Sequence, residues 1–120
     1  MNLLIIGATG RTGRFVTTQA IDRGHSVTAL VRTPSLQSRE RLNVIVGDPR
    51  RMEDLIAALP SQDAVISCIG HTGPNSPWLV SEAASVTLAA MDRLQVKRYV
   101  ILSGGLLFPT FNPVVLERIT

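Results

Sequence analysis

Three glycines stand three residues apart, at Gly7, Gly10 and Gly13, in the stretch Gly7-Ala8-Thr9-Gly10-Arg11-Thr12-Gly13-Arg14. Binding of a phosphate group by backbone asks for this kind of spacing. Gly7 permits a tight turn off a strand. Gly10 has no Cβ to keep a pyrophosphate away from the backbone, and Gly13 lets a helix pack closely on the strand before it. The unpaired N–H groups of the first helical turn then face the phosphates, and the helix dipole favours their negative charge. The spacing is G-x-x-G-x-x-G, not the G-x-G-x-x-G of many dehydrogenases. The alternative, a strand-to-helix turn with no ligand, is disfavoured by the elements on either side: the apolar run Leu3-Leu4-Ile5-Ile6 before it and a helical stretch closed by Gly24 after it. Strand, glycine loop and helix in that order are the context a dinucleotide fingerprint requires.

A second group of residues follows other strand-like runs. Arg32 stands just past Ser26-Val27-Thr28-Ala29-Leu30-Val31, and no acid lies between Val27 and Arg39. An Asp or Glu at this place accepts from the ribose 2′-OH of NAD, whereas an Arg accommodates a 2′-phosphate, so NADP(H) is the expected cofactor. Thr33 and Ser35 add hydroxyl donors. Asp48 follows the third strand and suits either the adenine amino group or a turn before Pro49. Cys68, Ile69 and Gly70 close the fourth strand and are expected near the ribose and nicotinamide, although Cys68 also suits a small buried apolar position. His71 and Thr72 open a loop that would border a substrate pocket, or simply be solvated. Ser103 ends the fifth strand beside two glycines. Its hydroxyl would bond a substrate or the nicotinamide amide, or merely end a strand. Ser103 is the candidate catalytic residue, and no metal site is expected.

The elements that must position these residues alternate strand and helix. Strands are predicted at Asn2 to Ile6, Ser26 to Val31, Asn43 to Val46, Ala64 to Ile69 and Arg98 to Leu102. Helices are predicted at Arg11 to Arg23, at Met52 to Leu59 with Pro60 as its stop, and at about Trp78 to Leu94. The stripe Met52, Leu55, Ile56 and Leu59 marks the second helix, and Val80, Ala84, Leu88 and Met91, widened by Ala83, Ala90 and Leu94, mark the third. Near-continuous apolar strands between helices indicate a parallel sheet covered on both faces. Right-handed crossovers then give an α/β, doubly wound, Rossmann-like sheet in the order 3-2-1-4-5, with its crevice between strands one and four.

At 120 residues the chain is one domain, 1–120, and its 45% apolar content is enough for a real core. The net charge of +3 comes from scattered arginines, with Lys97 as the sole lysine. That suits a polyanionic small ligand better than nucleic acid. The single cysteine fits a reducing compartment. No apolar run approaches the roughly 20 residues of a membrane span. No charged segment of the kind that opens a signal peptide precedes Leu3, so a cytoplasmic location is expected.

With these residues in place, Gly-Ala-Thr-Gly-Arg-Thr-Gly, Thr28-Ala-Leu-Val-Arg-Thr, Val46-Gly-Asp, Asp63-Ala-Val-Ile, the helix from Ser81 to Leu94 and Tyr99-Val-Ile-Leu-Ser together resemble the atypical short-chain dehydrogenase/reductases. Within them the chain is most similar to the NAD(P)H-dependent flavin reductase/biliverdin-IXβ reductase group, over essentially its whole length. The resemblance implies NADPH binding through Gly7, Thr9, Gly10, Arg11, Thr12, Gly13 and Arg32, an adenine contact at Asp48, and Ser103 beside the nicotinamide. It implies hydride transfer to a flavin, tetrapyrrole or similar small acceptor. The Tyr-x-x-x-Lys pair of many short-chain dehydrogenases is missing, since Tyr99 and Lys97 are in the wrong arrangement. Members of the group run on after the equivalent of Ser103, so the chain is expected to be an N-terminal portion, truncated after strand five. Its apolar tail Leu106 to Phe111 would then favour self-association. Two other classes stay open: a non-catalytic NADP(H) sensor that signals to a protein partner, and an epimerase-like enzyme, against which the missing pair argues.

Overall fold

A computed structural model of the protein describes residues 1–34, 36–69, 79–104 and 113–119, with backbone alone for 103–104 and 113–119. The expected alternation is present as β1 (Asn2–Ile6), α1 (Arg11–Asp22), β2 (Ser26–Val31), β3 (Leu42–Val46), α2 (Met52–Ala58), β4 (Ala64–Ser67), α3 (Leu79–Leu94) and β5 (Arg98–Gly104). The five strands are parallel and ordered β3-β2-β1-β4-β5, the doubly wound arrangement that the sequence predicts. The tail differs from expectation. Instead of the chain ending its sheet at strand five, β6 (Pro113–Ile119) pairs antiparallel with β5, from Arg98↔Ile119 to Gly104↔Pro113. Pro113 sits at the first position of this edge strand, where a missing N–H does least harm. The apolar stretch Leu106 to Phe111 lies outside the described residues.

The sheet is covered on both faces because its strands alternate between two cores. From β1, Leu4 and Ile6 join Leu30, Val65 and Tyr99 under α2 and α3, packing with Leu55, Leu59 and Met91. Leu3 and Ile5 point the other way and join Val27, Ala29 and Val31 with Ala20 of α1. β1 is therefore apolar at every buried position, as a central parallel strand must be.

One helix face is rotated from its predicted position. On α3 the buried residues are Leu79, Ala83, Thr87, Ala90 and Met91, while Val80, Ala84 and Leu88 are only half-buried. Thr87 is fully buried and its hydroxyl has no hydrogen-bond partner among the described residues. The reason is that α3 carries apolar residues almost all round, so periodicity alone does not choose its inner face. On α2 the predicted stripe holds at Met52, Leu55 and, just past the helix, Leu59, which pack in the core with Ala58. Ile56 is half-buried and outside the core cluster.

Candidate functional site

A cleft of about 200 Å³ opens at the carboxyl ends of β1, β2 and β4, the place where the strand order reverses. The turn after β1 supplies Gly7, Thr9 and Gly10, and the end of β2 supplies Leu30, Val31, Arg32 and Thr33. Pro49 comes from the loop after β3, Cys68 and Ile69 from just beyond β4, and Leu79 from the start of α3.

Gly7 adopts φ +80°, a left-handed conformation that other residues rarely take, and a Cβ there would lie 3.0 Å from the carbonyl carbon of Cys68. A Cβ on Gly13 would lie 1.8 Å from the Gly7 carbonyl oxygen and 2.9 Å from Ala8 Cα, so α1 reaches the strand end only through a glycine. Gly10 is different. It has φ −74°, a conformation open to any residue, and a Cβ on it would meet nothing nearer than the Gly7 oxygen at 3.5 Å. The space beside Gly10 is open on the cleft side. Gly10 is also the N-cap of α1, with no side-chain cap and no acid in the first turn. The first-turn N–H groups are thus left to an anion, and a pyrophosphate fits this loop.

Of the predicted cofactor-binding residues, Gly7, Thr9, Gly10, Arg32, Thr33, Cys68 and Ile69 meet in the cleft wall. Arg11 and Thr12 are exposed on the first turn of α1, and Gly13 is buried beneath the loop, where its part is packing. β4 ends at Ser67, two residues earlier than predicted, which leaves Cys68 and Ile69 to leave the sheet and bend into the wall. Cys68 keeps its N–H bonded to the Ile6 carbonyl at 2.8 Å, and burial pushes its thiol pKa up. It therefore acts as wall, not as a ready nucleophile. Gly70, His71, Thr72 and Ser35 lie outside the described residues. Ser103 is placed by its backbone in β5, opposite Val114 of β6, and the register Ser67↔Ile101 carries it onward in the same direction as Ile69.

Asp48 stands next to the cleft through Pro49, with its carboxylate engaged by Arg50. Arg50 Nη2 donates to Oδ2 at 2.8 Å and Nε to Oδ1 at 3.1 Å, while the Arg50 backbone N–H donates to Oδ1 at 2.9 Å. These side-chain bonds hold the Asp48 carboxyl below the usual carboxylate range, against a smaller opposing effect of burial. The charges of Arg50 and Arg32 add to the lowering. Arg50 was not foreseen as part of the rim; the only sequence signal is its position two residues after an aspartate in a turn. Leu30, Val31, Pro49 and Leu79 were also missed, and the first two are legible only once the strand is known to end at the cleft.

Tyr99 does not line the cleft. It is a core residue, 4% exposed, with its hydroxyl bonded to Ser67. Burial raises its pKa, and the Ser67 hydrogen bond only partly offsets this. Lys97 is exposed at the opposite, amino end of β5. No helix among the described residues is long and apolar enough to cross a membrane.

Comparison with known proteins agrees with this geometry. The chain is 29% identical over 122 residues to a chloroplastic divinyl chlorophyllide a 8-vinyl-reductase of Arabidopsis thaliana, covering 87% of this chain and 29% of that protein. It is 32% identical over 111 residues to the photosystem II assembly factor Ycf39 of Synechocystis, covering 86% of this chain and 33% of that one. The chain thus spans about a third of the length of these curated relatives. A solved Rossmann-fold NAD(P)-binding family protein from Shigella flexneri superposes with a TM-score of 0.68 at 29% identity, over 82% of this chain and 49% of that one. A family model described as NAD(P)H-binding matches residues 7–116, from the first glycine of the loop into β6, and the chain belongs to that NAD(P)H-binding family of atypical short-chain dehydrogenase/reductases.

Proposed function

We propose that this chain is the NADPH-binding part of a reductase that passes hydride to a flavin, a tetrapyrrole or a similar small acceptor. One observation carries the choice of NADPH: Arg32 stands in the cleft wall at the end of β2 together with Gly10, and no acid occurs in the sequence from Val27 to Arg39. A guanidinium there suits a 2′-phosphate, and a charge-assisted hydrogen bond to it contributes roughly 1.5–3 kcal/mol, on the order of ten- to a hundredfold in affinity. The reduced nicotinamide, when bound, supplies the hydride. The chain's own residues bind and orient: the α1 amino end holds the pyrophosphate, Arg32 and Thr33 hold the adenosine ribose, and Cys68 and Ile69 wall the path toward the nicotinamide. Ser103 is the proposed hydroxyl beside the reacting ring. Similarity to a divinyl chlorophyllide reductase supports an acceptor of tetrapyrrole type.

Similarity to an assembly factor supports a second reading, in which the chain senses NADP(H) and signals to a protein partner without turnover. Titration of NADPH and NADH against wild type and Arg32→Ala tests the cofactor choice. The expected result is a preference for NADPH that the mutant loses; equal wild-type affinities refute it. Adding a flavin or a linear tetrapyrrole to the NADPH complex separates the two functions. Oxidation of the cofactor supports the reductase, and tight binding without oxidation of either acceptor supports the sensor.

A further inference from the structure

We propose that Arg50 is a specificity-determining positioning residue: by gripping both carboxylate oxygens of Asp48, it keeps that carboxylate off Arg32 and leaves the Arg32 guanidinium to a ribose 2′-phosphate. This rests on the reading of Arg32 given above and adds the device that makes Arg32 available.

The argument begins with the loop between β3 and α2. The Gly47 N–H donates to the Val31 carbonyl at 2.8 Å, so this loop is tied to the residue that immediately precedes Arg32. Pro49, between Asp48 and Arg50, stands in the same cleft wall as Arg32. An anionic side chain is thus delivered to the neighbourhood of the cation meant for a phosphate. The two are close enough for the Arg32 charge to contribute to the lowered pKa of Asp48, although the Arg50 hydrogen bonds contribute most. A carboxylate within reach of Arg32 would compete with a 2′-phosphate for the same donors, since both are planar or tetrahedral oxyanions that accept from a guanidinium fork.

Arg50 prevents this by geometry. Its Nε and Nη2 form a two-pronged grip on the carboxylate at 3.1 and 2.8 Å, and its backbone N–H closes a turn on the same Oδ1 at 2.9 Å. From the other side the Asp48 backbone N–H donates to Asp54 Oδ2 at 2.9 Å, which fixes the residue at the start of α2. With its backbone held at one end and its carboxylate gripped at the other, Asp48 has no need of Arg32. The pair is also neutral as a unit, so Asp48 brings little net negative charge to the rim beside Arg32.

The test uses the 120-residue chain and two probes that differ only by the phosphate in question, adenosine 2′,5′-bisphosphate and 5′-AMP, with dissociation constants measured by calorimetry. Arg50→Gln is expected to weaken the bisphosphate roughly tenfold, the loss of about one charge-assisted contact, and to leave 5′-AMP within twofold. Adding Asp48→Asn to Arg50→Gln is expected to restore the ratio of bisphosphate to 5′-AMP affinity to within about twofold of wild type, whatever an adenine contact at Asp48 does to both probes alike. Arg50→Lys, which keeps the charge but not the fork, should fall between. Circular dichroism of each variant confirms folding, and the ratio of the two probes is insensitive to a general loss of structure. Equal weakening of both probes by Arg50→Gln, no weakening of either, or a double variant whose ratio stays low would each overturn the proposal while the wild-type preference for the bisphosphate stands. Absence of that preference in the wild type would instead overturn the Arg32 reading, and this proposal with it.

Discussion

The glycine loop and the β2–β3 rim wall the same cleft, yet they respond differently to a single added carbon. At Gly13 the new atom would fall 1.8 Å from a carbonyl oxygen of the backbone, where nothing can yield. At Gly47, in the rim loop, it would meet the tip of Leu30 at 3.0 Å and the side chain of Asp54 at 3.1 Å, and side chains can turn. The loop is specified by steric exclusion, and the rim by charge and hydrogen bonding between half-exposed groups. A cleft made in this way has one wall that tolerates no added atom and another that single side chains can adjust.

The largest effect should come from Gly13→Ala, which forces α1 off the strand end. Overpacking typically costs about 1–3 kcal/mol, and a contact this close belongs at or above the top of that range. A urea midpoint unchanged from wild type would show that the loop is far softer than its contacts imply. Next comes Gly10→Val. Its backbone conformation suits any residue and its surroundings are open, so stability should hold while cofactor binding is lost, because the side chain takes the pyrophosphate's space. Normal NADPH binding by this variant would reduce the glycine loop to a turn.

On the rim side, Gly47→Ala should cost less than about 1 kcal/mol. Because the displaced Asp54 side chain also accepts the Asp48 N–H, the variant should lower the preference for NADPH more than it lowers the melting temperature. A loss as large as that of Gly13→Ala would erase the contrast between the two regions. The smallest effect is set by pH. The Asp48 pKa is lower in the folded chain than in the unfolded one, so its contribution is complete above the ordinary carboxylate pKa of about 4 and is lost as pH falls through the folded value. Below that ordinary value, wild type should therefore lose stability slightly faster than Asp48→Asn. Parallel curves down to pH 2 would show that the grip on Asp48 adds nothing to folding.

The difference between the regions also explains what could be read in advance. The three glycines were legible because backbone sterics act over a few residues. Gly7 and Gly13 contact each other across a single turn, and no distant element is needed to give them their roles. The place of Arg32 at the cleft was legible because a strand's end is marked by its own composition. Arg50 was not, because its partner choice depends on how the loop from Gly47 to Arg51 folds against Val31 and Asp54. The rotated face of α3 escaped for another reason. A helix that is apolar on most sides offers several inner faces of similar hydrophobicity, and only the shape of the sheet beneath it selected Thr87 over Leu88.

By itself, the sequence determined the alternation of strands and helices, the strand order, and the tight glycine loop at Gly7, Gly10 and Gly13, since each follows from local periodicity, chain connectivity and the absence of a Cβ. Tertiary structure decided which way α3 turns, that Tyr99 is sealed in the core with Ser67 instead of facing the cleft, that residues 113–119 pair back onto β5 as an antiparallel edge, and that Asp48 is held by Arg50 beside Arg32. These outcomes depend on contacts between segments far apart in the chain or on the exact path of a loop, where many pairings have similar local energies and only the assembled packing distinguishes them.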